Sequence, residues 1–235
     1  MQTDRPTVSN EPLDPIALDD RIRSEGQILL HGVSWEQFEQ LLETLDEHRP
    51  YRLAYDNGKL EIIMPTGKHE FNKEAFSDRI KELADYLDLD CTSMGSTTWK
   101  RKDLLKGVEP DNCFYVQNEP AIRMIKPDLD LSKDPPPDLI LEVDHTSPSV
   151  KKLPIYAALG VPEVWIYKTT KKEEILDIYV LKDAKYQNVE TSLVFAGFPA
   201  SKLPSFISQN IKLSPRQARR NFKAWLDEIY IQSID

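Results

Sequence analysis

Cysteine is almost absent from this sequence. Only two of the 235 residues are cysteines, Cys91 and Cys113, and neither stands in a CxxC pair or near a histidine. This scarcity argues against a disulfide-stapled scaffold and against a structural zinc site. A reducing compartment fits such a chain best, so we expect the protein to be cytoplasmic.

Long apolar runs are absent as well. The longest are short pieces such as residues 139–141, far below the roughly 20 residues that a transmembrane helix needs. The first ten residues contain neither a basic start nor an apolar stretch, which argues against a signal peptide. With 40% hydrophobic and 29% charged residues, the composition is that of an ordinary globular domain.

Basic residues are outnumbered, and the formal net charge is -9. A strongly acidic chain argues against nucleic acid as a partner, because phosphate binding depends on Lys and Arg. The excess is concentrated, however: residues 1–50 contain 11 acidic and four basic residues, whereas the rest of the chain is nearly neutral. A nearly neutral body can still focus basic residues around a cleft, so the charge excludes little.

Prolines and apolar spacing divide the chain into a tail and one domain. Residues 1–17 carry three prolines among polar residues and predict a mobile tail, so residues 18–235 are expected to form a single domain. Ser34 and Gln37 form a capping-box pattern before a helix that Pro50 ends. Further helices are predicted over residues 69–89, over 151–159, and from Pro215 onward with Ser214 as the N-cap.

Strand patterns occupy most of the remaining chain. Asn57-Gly58 between two apolar runs is the strongest short signal for a β-hairpin. Residues 120–137 are too rich in proline for regular structure, and residues 139–143 predict a buried central strand. The other strands are predicted over residues 91–94, 96–100, 112–117 and 163–167, with two or three more within 174–197. The mixture predicts an α/β fold in a single domain.

The most apolar strand carries an acid. Glu142 lies within residues 139–143, and the period of two places Asp138 and Asp144 on the same face. A lone buried acid is usually held by an arginine or by backbone donors. Three carboxylates on one strand face repel one another unless a cation or a proton intervenes. The pattern therefore favours a metal site over a structural acid.

A second acid completes a recognisable pattern. Asp111 follows Pro110 at the entry of a strand, where an Asp alone indicates a turn. Pro110-Asp111 followed by Glu142-Val143-Asp144 resembles the PD-(D/E)xK nuclease superfamily, most closely its branch of bacterial putative restriction endonucleases. The more specific part of the likeness runs from Pro136-Pro137-Asp138 to Pro162-Glu163-Val164-Trp165. With the Asn57-Gly58 hairpin, His69-Glu70 and Gly95-Ser96-Thr97-Thr98, the likeness covers roughly residues 30–200.

The resemblance implies a fold, an activity and a site. The fold is a restriction-endonuclease-like domain with a central mixed sheet flanked by helices, and the activity is metal-dependent endonuclease hydrolysis of phosphodiester bonds. Asp111 and Glu142 are implied as ligands of Mg²⁺, for which Mn²⁺ could substitute, with the Val143 carbonyl as a third ligand. Such chemistry needs a hard cation held by oxygen atoms. The expected partner is nucleic acid, DNA ahead of RNA; no membrane is expected, and a homodimer is compatible with the sequence.

The resemblance implies roles for two further residues, Glu70 and Lys152, and each of them also has a structural interpretation. Glu70, in the first turn of the long helix, would assist at the metal, although acids there also favour the helix dipole without any function. Position 144 is Asp where the superfamily pattern has Lys. In this branch the lysine is commonly displaced to the following helix, which makes Lys152 the candidate to position the attacking water. Lys152 could instead belong to a solvated helix start, and Asp144 could join the metal shell.

Other functions stay open. The missing in-strand lysine and the acidic N-terminal region also fit a catalytically degenerate nuclease-fold protein that binds a partner or nucleic acid. Hydrolysis of a small phosphorylated metabolite is a third hypothesis, but no Gly-rich phosphate cradle is visible. His69 is interpreted as a capping or packing residue, and His145 has no partner at zinc-like spacing.

The basic and aromatic residues say less about the position of the site. Scattered bases are expected around the site: Lys100, Arg101, Lys102, Lys106, Lys151 and Lys152. Arg216, Arg220 and Lys223 form a stripe on the last helix that indicates either a solvated face or a contact with phosphate or a partner. Trp165 and Trp225 follow the apolar pattern and are interpreted as core or partner-facing residues.

Overall fold

The computed structural model describes residues 26–45, 49–125, 129–144, 151–169 and 173–231. The predicted tail over residues 1–17 and His145 lie outside these ranges, so the division into a tail and one domain stays a prediction. Among the described residues, no helix combines the length and the apolar character that crossing a bilayer requires.

Strands and helices alternate along the described chain. The strands are β1 Gly26–His31, β2 Arg52–Asp56, β3 Lys59–Met64, β4 Thr92–Ser93, β5 Trp99–Arg101, β6 Lys106–Val108, β7 Asn112–Tyr115, β8 Leu139–Asp144, β9 Glu163–Thr169, β10 Glu174–Lys182 and β11 Lys185–Val189. The helices are α1 Trp35–Thr44, α2 Gly67–Tyr86, α3 Glu119–Ile122, α4 Lys152–Leu159, α5 Leu203–Asn210 and α6 Pro215–Ile231. Two short 3₁₀ turns, Lys102–Leu104 and Ala200–Lys202, complete the described elements.

The strands form two sheets. A six-stranded sheet has the order β11-β10-β9-β8-β7-β4, in which β8 and β9 are parallel and the other neighbours are antiparallel. A five-stranded antiparallel sheet has the order β1-β3-β2-β6-β5. The mixed sheet and its flanking helices confirm the predicted α/β class in one domain. The separate antiparallel sheet is an addition that the sequence patterns did not indicate.

Local signals placed several elements correctly. The Ser34 side chain accepts from the Gln37 backbone and the Gln37 side chain accepts from the Ser34 backbone, which is the predicted capping box. Asn57 and Gly58 have φ of 47° and 84°, the left-handed values that a tight β2–β3 turn of type I′ requires. Ser214 caps α6 by accepting from the Gln217 backbone at 3.3 Å.

Other boundaries were wrong. Helix α1 ends at Thr44, well before Pro50, and α2 begins at Gly67 because the Thr66 side chain caps it. Pro120 does not prevent regular structure, since it lies within the first turn of the short helix α3, where its missing N–H costs nothing. The number of strands within residues 174–197 was right, since β10 and β11 are two of the predicted two or three.

The core positions β8 between two apolar layers. One face of the mixed sheet packs against α2 and α6, and Trp165 is fully buried there, which is the core placement of the two that the sequence allowed. The opposite face packs against α4 and against the five-stranded sheet. At Gly107 of β6 an added Cβ would lie 2.7 Å from the Phe38 ring, so only glycine allows α1 to pack so closely on that sheet.

The buried acid Glu163 anchors the first residue of β9. The Glu163 carboxylate is inaccessible to solvent and accepts hydrogen bonds from Trp165 Nε1, Ser192 Oγ at 2.8 Å, and the backbone N–H groups of Leu193 and Val194 at 2.6 and 2.9 Å. Four donors around one carboxylate tie the segment after β11 to the mixed sheet.

We expect Glu163→Ala to lower the free energy of unfolding by about 3 kcal/mol or more, because several buried donors lose their acceptor at once. Urea unfolding followed by circular dichroism measures this. Glu190→Ala removes an exposed acid from the same region and should change stability by less than about 0.5 kcal/mol. Equal effects of the two substitutions would show that the Glu163 network does not stabilise the sheet.

Candidate metal centre

Asp111 lies at the entry of β7 and is only 4% exposed. In the antiparallel pair of β7 and β8, Asn112 lies opposite Leu141, so extending the register by one residue brings Asp111 opposite Glu142. The Val143 N–H donates to Asp111 Oδ2 at 2.7 Å, and His69 Nε2 lies 3.1 Å from the same oxygen. Because an ionised carboxylate only accepts, His69 carries its proton on Nε2. No described residue donates to Asp111 Oδ1, which leaves that oxygen for another ligand.

Glu142 lies in the middle of β8, on the face that packs against α4, and is 7% exposed. The Lys152 ammonium donates to Oε2 at 2.7 Å, and the Tyr156 hydroxyl donates to Oε1. Both donors come from α4, at positions four residues apart that share one helix face. The helix after β8 therefore turns a cation and a hydroxyl toward the strand acid.

The two acids differ in pKa. Burial raises the pKa of the Glu142 carboxyl to about 7; the Lys152 charge opposes that rise and the Asp111 charge adds to it. Burial also acts on Asp111, but the hydrogen bond from His69 and the Lys152 charge outweigh it, so the pKa of Asp111 lies below its usual value. Two neighbouring carboxylates with separated pKa values are typical of a functional site. A cation between them would favour the ionised form of both.

Both acids line one cavity of about 380 Å³. The cavity lies between the mixed sheet, the five-stranded sheet and the N-terminal turn of α4. Its charged and polar lining consists of Arg52, His69, Asp111, Glu142, Lys151, Lys152, Lys168 and Tyr179. Seven of these eight side chains can carry a charge, and four of them are lysine or arginine. The lysine and arginine side chains can attract an anion to the cavity although two carboxylates also line it.

Glu70 does not line this cavity. It lies in the first turn of α2, its side chain is 39% exposed, and its carboxylate pairs with Lys73 on the same helix. Arg52 lies 3.8 Å from its other oxygen. Its assisting role at a metal stays a prediction.

Asp138 does not join Glu142 at the site. Asp138 precedes the strand, and its Oδ2 accepts from the backbone N–H groups of Val116 and Asn118 at 2.7 and 2.9 Å. It is a loop-fixing acid, so the expectation that it would share the charge cluster was wrong. Asp144 ends β8, and its side chain lies outside the described features. Within the described ranges, no group of three or more His, Cys, Asp or Glu side chains is placed to hold a metal ion.

Two residues of the site were missed or misjudged from the sequence. His69, interpreted as a capping or packing residue, also contacts Asp111, 42 positions away. Its place beside Glu70 in a block of the family likeness was the available signal. Tyr156 was part of the same likeness, and its spacing of four residues from Lys152 indicated a shared helix face. Neither signal identifies the acid that each residue contacts.

The basic residues were only partly placed. Of the six expected around the site, Lys151 and Lys152 line the cavity. The others pair elsewhere: Lys100 with Glu39 at 3.0 Å, Arg101 with Asp103 at 2.6 Å, Lys102 with Glu36 at 3.4 Å, and Lys106 with Asp56. Arg52 and Lys168 line the cavity without having been predicted, and Lys168 is also paired with Asp177 at 2.8 Å. On α6, Arg216, Arg220 and Lys223 are exposed, as a solvated face requires.

The mixed sheet with its flanking helices is a nuclease-like α/β fold, and it brings together a Pro-Asp at one strand, a Glu in the adjacent strand, and a lysine that contacts that Glu. Comparison with family models identifies the particular family. Residues 35–214 match the Uma2 model, described as "Putative restriction endonuclease". Since the match spans more than half of the chain, the protein belongs to this family, as the resemblance predicted. A comparison with curated proteins gives no match.

Proposed function

We propose that the protein is a metal-dependent endonuclease that hydrolyses phosphodiester bonds of nucleic acid, with Asp111 and Glu142 as the metal ligands. One observation carries the proposal. Two carboxylates from adjacent strands, both more than nine-tenths buried, line one cavity into which α4 also brings the Lys152 ammonium. A structural ion pair with Lys152 would need only one acid. A hard cation needs both carboxylates as oxygen ligands, and a phosphate beside it needs the ammonium.

The donor atoms fit a magnesium ion. Mg²⁺ takes oxygen ligands and keeps several waters, so a site with one or two carboxylates is sufficient for it. Asp111 Oδ1 is left for a ligand by the hydrogen bonds that occupy Oδ2, and the Val143 carbonyl is the third candidate oxygen. When bound, the cation would neutralise charge on the phosphate and generate hydroxide from water. Mn²⁺, with the same preference for oxygen, would substitute.

The protein residues have separate tasks. The Lys152 ammonium, 2.7 Å from Glu142, provides a fixed positive charge where charge develops on the reacting phosphate, and positions the attacking water. The Tyr156 hydroxyl fixes the orientation of Glu142. His69 and the Val143 N–H orient Asp111 through its Oδ2. Arg52, Lys151 and Lys168 add positive charge along the cavity, which favours a polyanionic substrate despite the overall net charge of -9.

Metal binding can be tested without any substrate. We expect Mg²⁺ or Mn²⁺ to raise the melting temperature of the wild type, since a ligand that binds only the folded state stabilises it. In Glu142→Gln, which keeps the shape but loses the charge, the rise should largely disappear. The measurement is a thermal melt at several metal concentrations, with Glu190→Gln as an exposed-acid control. Equal shifts in all three proteins would mean nonspecific ion effects and would remove the basis for Asp111 and Glu142 as ligands.

His69 should matter through Asp111. We expect His69→Ala to weaken divalent-metal binding by about 10–100-fold, the usual cost of removing a group that orients a metal ligand. Isothermal titration with Mn²⁺ measures the affinity. His31→Ala, an exposed histidine at the end of β1, is the matched control and should bind metal as the wild type does. An unchanged affinity in His69→Ala would show that the 3.1 Å contact with Asp111 serves packing only.

A second candidate is a catalytically degenerate nuclease-fold protein that binds nucleic acid or a partner. The observation in its favour is that protein donors already contact both oxygens of Glu142. The two functions differ in the metal titration and in cleavage. A protein that binds DNA but neither responds to divalent metal nor cleaves any DNA or RNA would be the binding protein.

A further inference from the structure

The cavity beside the two carboxylates has an apolar half. The register of the mixed sheet places Ile166 directly beside Glu142 on the neighbouring strand, and Tyr179 lies on the same face of β10. The five-stranded sheet contributes Ile63 and Pro65 to the cavity, and α4 contributes Leu153 and Pro154. Ile63, Ile166 and Tyr179 are only partly buried, so each retains surface that a ligand can cover.

This apolar half has no task in the chemistry at a phosphate. A hard cation and a phosphate require oxygen ligands and positive charges, which Asp111, Glu142 and Lys152 provide at the other half of the cavity. Apolar side chains next to such a site can instead pack against the flat face of a ring in the ligand. A nucleotide combines both features, because its phosphate is joined to a base that stacks on aromatic or apolar side chains.

The size of the cavity limits the ligand. Pockets that hold one small molecule have volumes of roughly 300–1,000 Å³, and this one, at about 380 Å³, is near the lower end. It can take one nucleotide unit. A base inside a stacked duplex cannot reach its wall, because enzymes that act on a base in such a pocket first take it out of the stack.

We propose that the Ile63–Ile166–Tyr179 wall binds the base of a single unstacked nucleotide, so that the enzyme acts on single-stranded or unpaired DNA in preference to intact duplex. This inference rests on the proposed nuclease function, whose substrate class it specifies. The base lies against the wall, and the adjoining phosphate lies at Asp111, Glu142 and Lys152. Arg52, which lines the same cavity, meets a neighbouring phosphate.

The first experiment compares DNA forms. A short fluorescent strand is tested alone, annealed into an intact duplex, and annealed with one unpaired nucleotide. Binding is measured by anisotropy in Ca²⁺ and cleavage in Mg²⁺. We expect the single strand and the bulged duplex to bind and to be cleaved at least about tenfold better than the intact duplex, the scale of one base stacked on an aromatic side chain.

The second experiment changes the wall. Tyr179→Ala should weaken binding of the single strand by about tenfold or more, and Tyr179→Phe, which keeps the ring, should bind it more tightly than Tyr179→Ala does. Ile63→Trp fills the cavity from the opposite sheet and should also weaken binding, which provides an independent test if Tyr179→Ala does not fold. Ile175→Ala, an exposed residue of the same strand outside the cavity, is the control. The Mg²⁺-induced melting shift should persist in all four variants.

The outcomes separate the two proposals. Equal binding and cleavage of single strand and duplex would overturn the unstacked-nucleotide site and leave the nuclease function standing. Wall variants that bind the single strand as the wild type does would overturn the site as well. Absence of cleavage with every DNA form and with the same strand made as RNA would overturn the nuclease function, whereas the binding preference in Ca²⁺ would still test whether the Ile63–Ile166–Tyr179 wall binds an unstacked base.

Discussion

Glu142→Gln is expected to lower the rate of metal-dependent cleavage by at least about a thousandfold. The amide keeps the shape of the side chain but loses the negative charge that holds the cation, and a cation contributes several kcal/mol to stabilising charge at the phosphate. Each 1.36 kcal/mol corresponds to a factor of ten in rate, so the loss of about 4 kcal/mol gives the thousandfold effect. Cleavage of a labelled DNA strand under single-turnover conditions in Mg²⁺ measures it.

Two comparisons make this result specific. Asp111→Asn should have an effect of similar size, because the two acids form one site, and the double variant should be little worse than either single variant. Glu190→Gln, an exposed acid near the end of β11, should cleave at the wild-type rate. Wild-type cleavage by Glu142→Gln would show that β8 does not carry a metal ligand.

Lys152→Ala is expected to lower the cleavage rate by about a hundredfold or more, the scale for losing one preorganised charge at a developing oxyanion. Metal should still bind, and somewhat more tightly, because a nearby positive charge has gone. Stability should fall too, since Lys152 is the cation paired with a buried acid and is not an ordinary surface residue. Single-turnover rates are therefore compared at a temperature where circular dichroism shows both proteins folded.

The control for this variant follows from the structure. Lys151 is the sequence neighbour, but it also lines the cavity and so is unsuitable. Lys185, exposed at the start of β11, is suitable, and Lys185→Ala should cleave as the wild type does. If Lys152→Ala cleaves at the wild-type rate, α4 does not supply the lysine that the strand lacks, and Lys152 only neutralises Glu142.

The sequence identified the elements of the site better than their contacts. Glu142 stands out because an acid interrupts the most apolar strand, and the family likeness connects it to Asp111. The helix that carries Lys152 was predictable from its spacing and from Gly160, which has a φ of 79° after the last turn. These signals are local or belong to one motif, so they can be recognised without knowledge of the fold.

The contacts depend on the fold itself. His69 meets Asp111 only because the N-terminal turn of α2 lies beside the entry of β7, and no local pattern encodes that approach. Arg52 reaches the cavity from a second sheet that was not predicted. That sheet was missed because two of its strands are weak in sequence: the edge strand β1 leaves Ile28 and Leu30 exposed, and the inner strand β6 has three residues with a glycine in the middle. Asp138 was wrongly grouped with Glu142 because the period of two does not show that the strand begins only at Leu139.

The most direct test of the central claim is a crystal structure of the wild type soaked with Mn²⁺. We predict anomalous density between the carboxylates of Asp111 and Glu142, with metal–oxygen distances near the roughly 2.1 Å that such small hard cations prefer, and no density there in Glu142→Gln. The contradicting result is a wild-type crystal without anomalous density at the site, in which Lys152 and Tyr156 still hold both oxygens of Glu142.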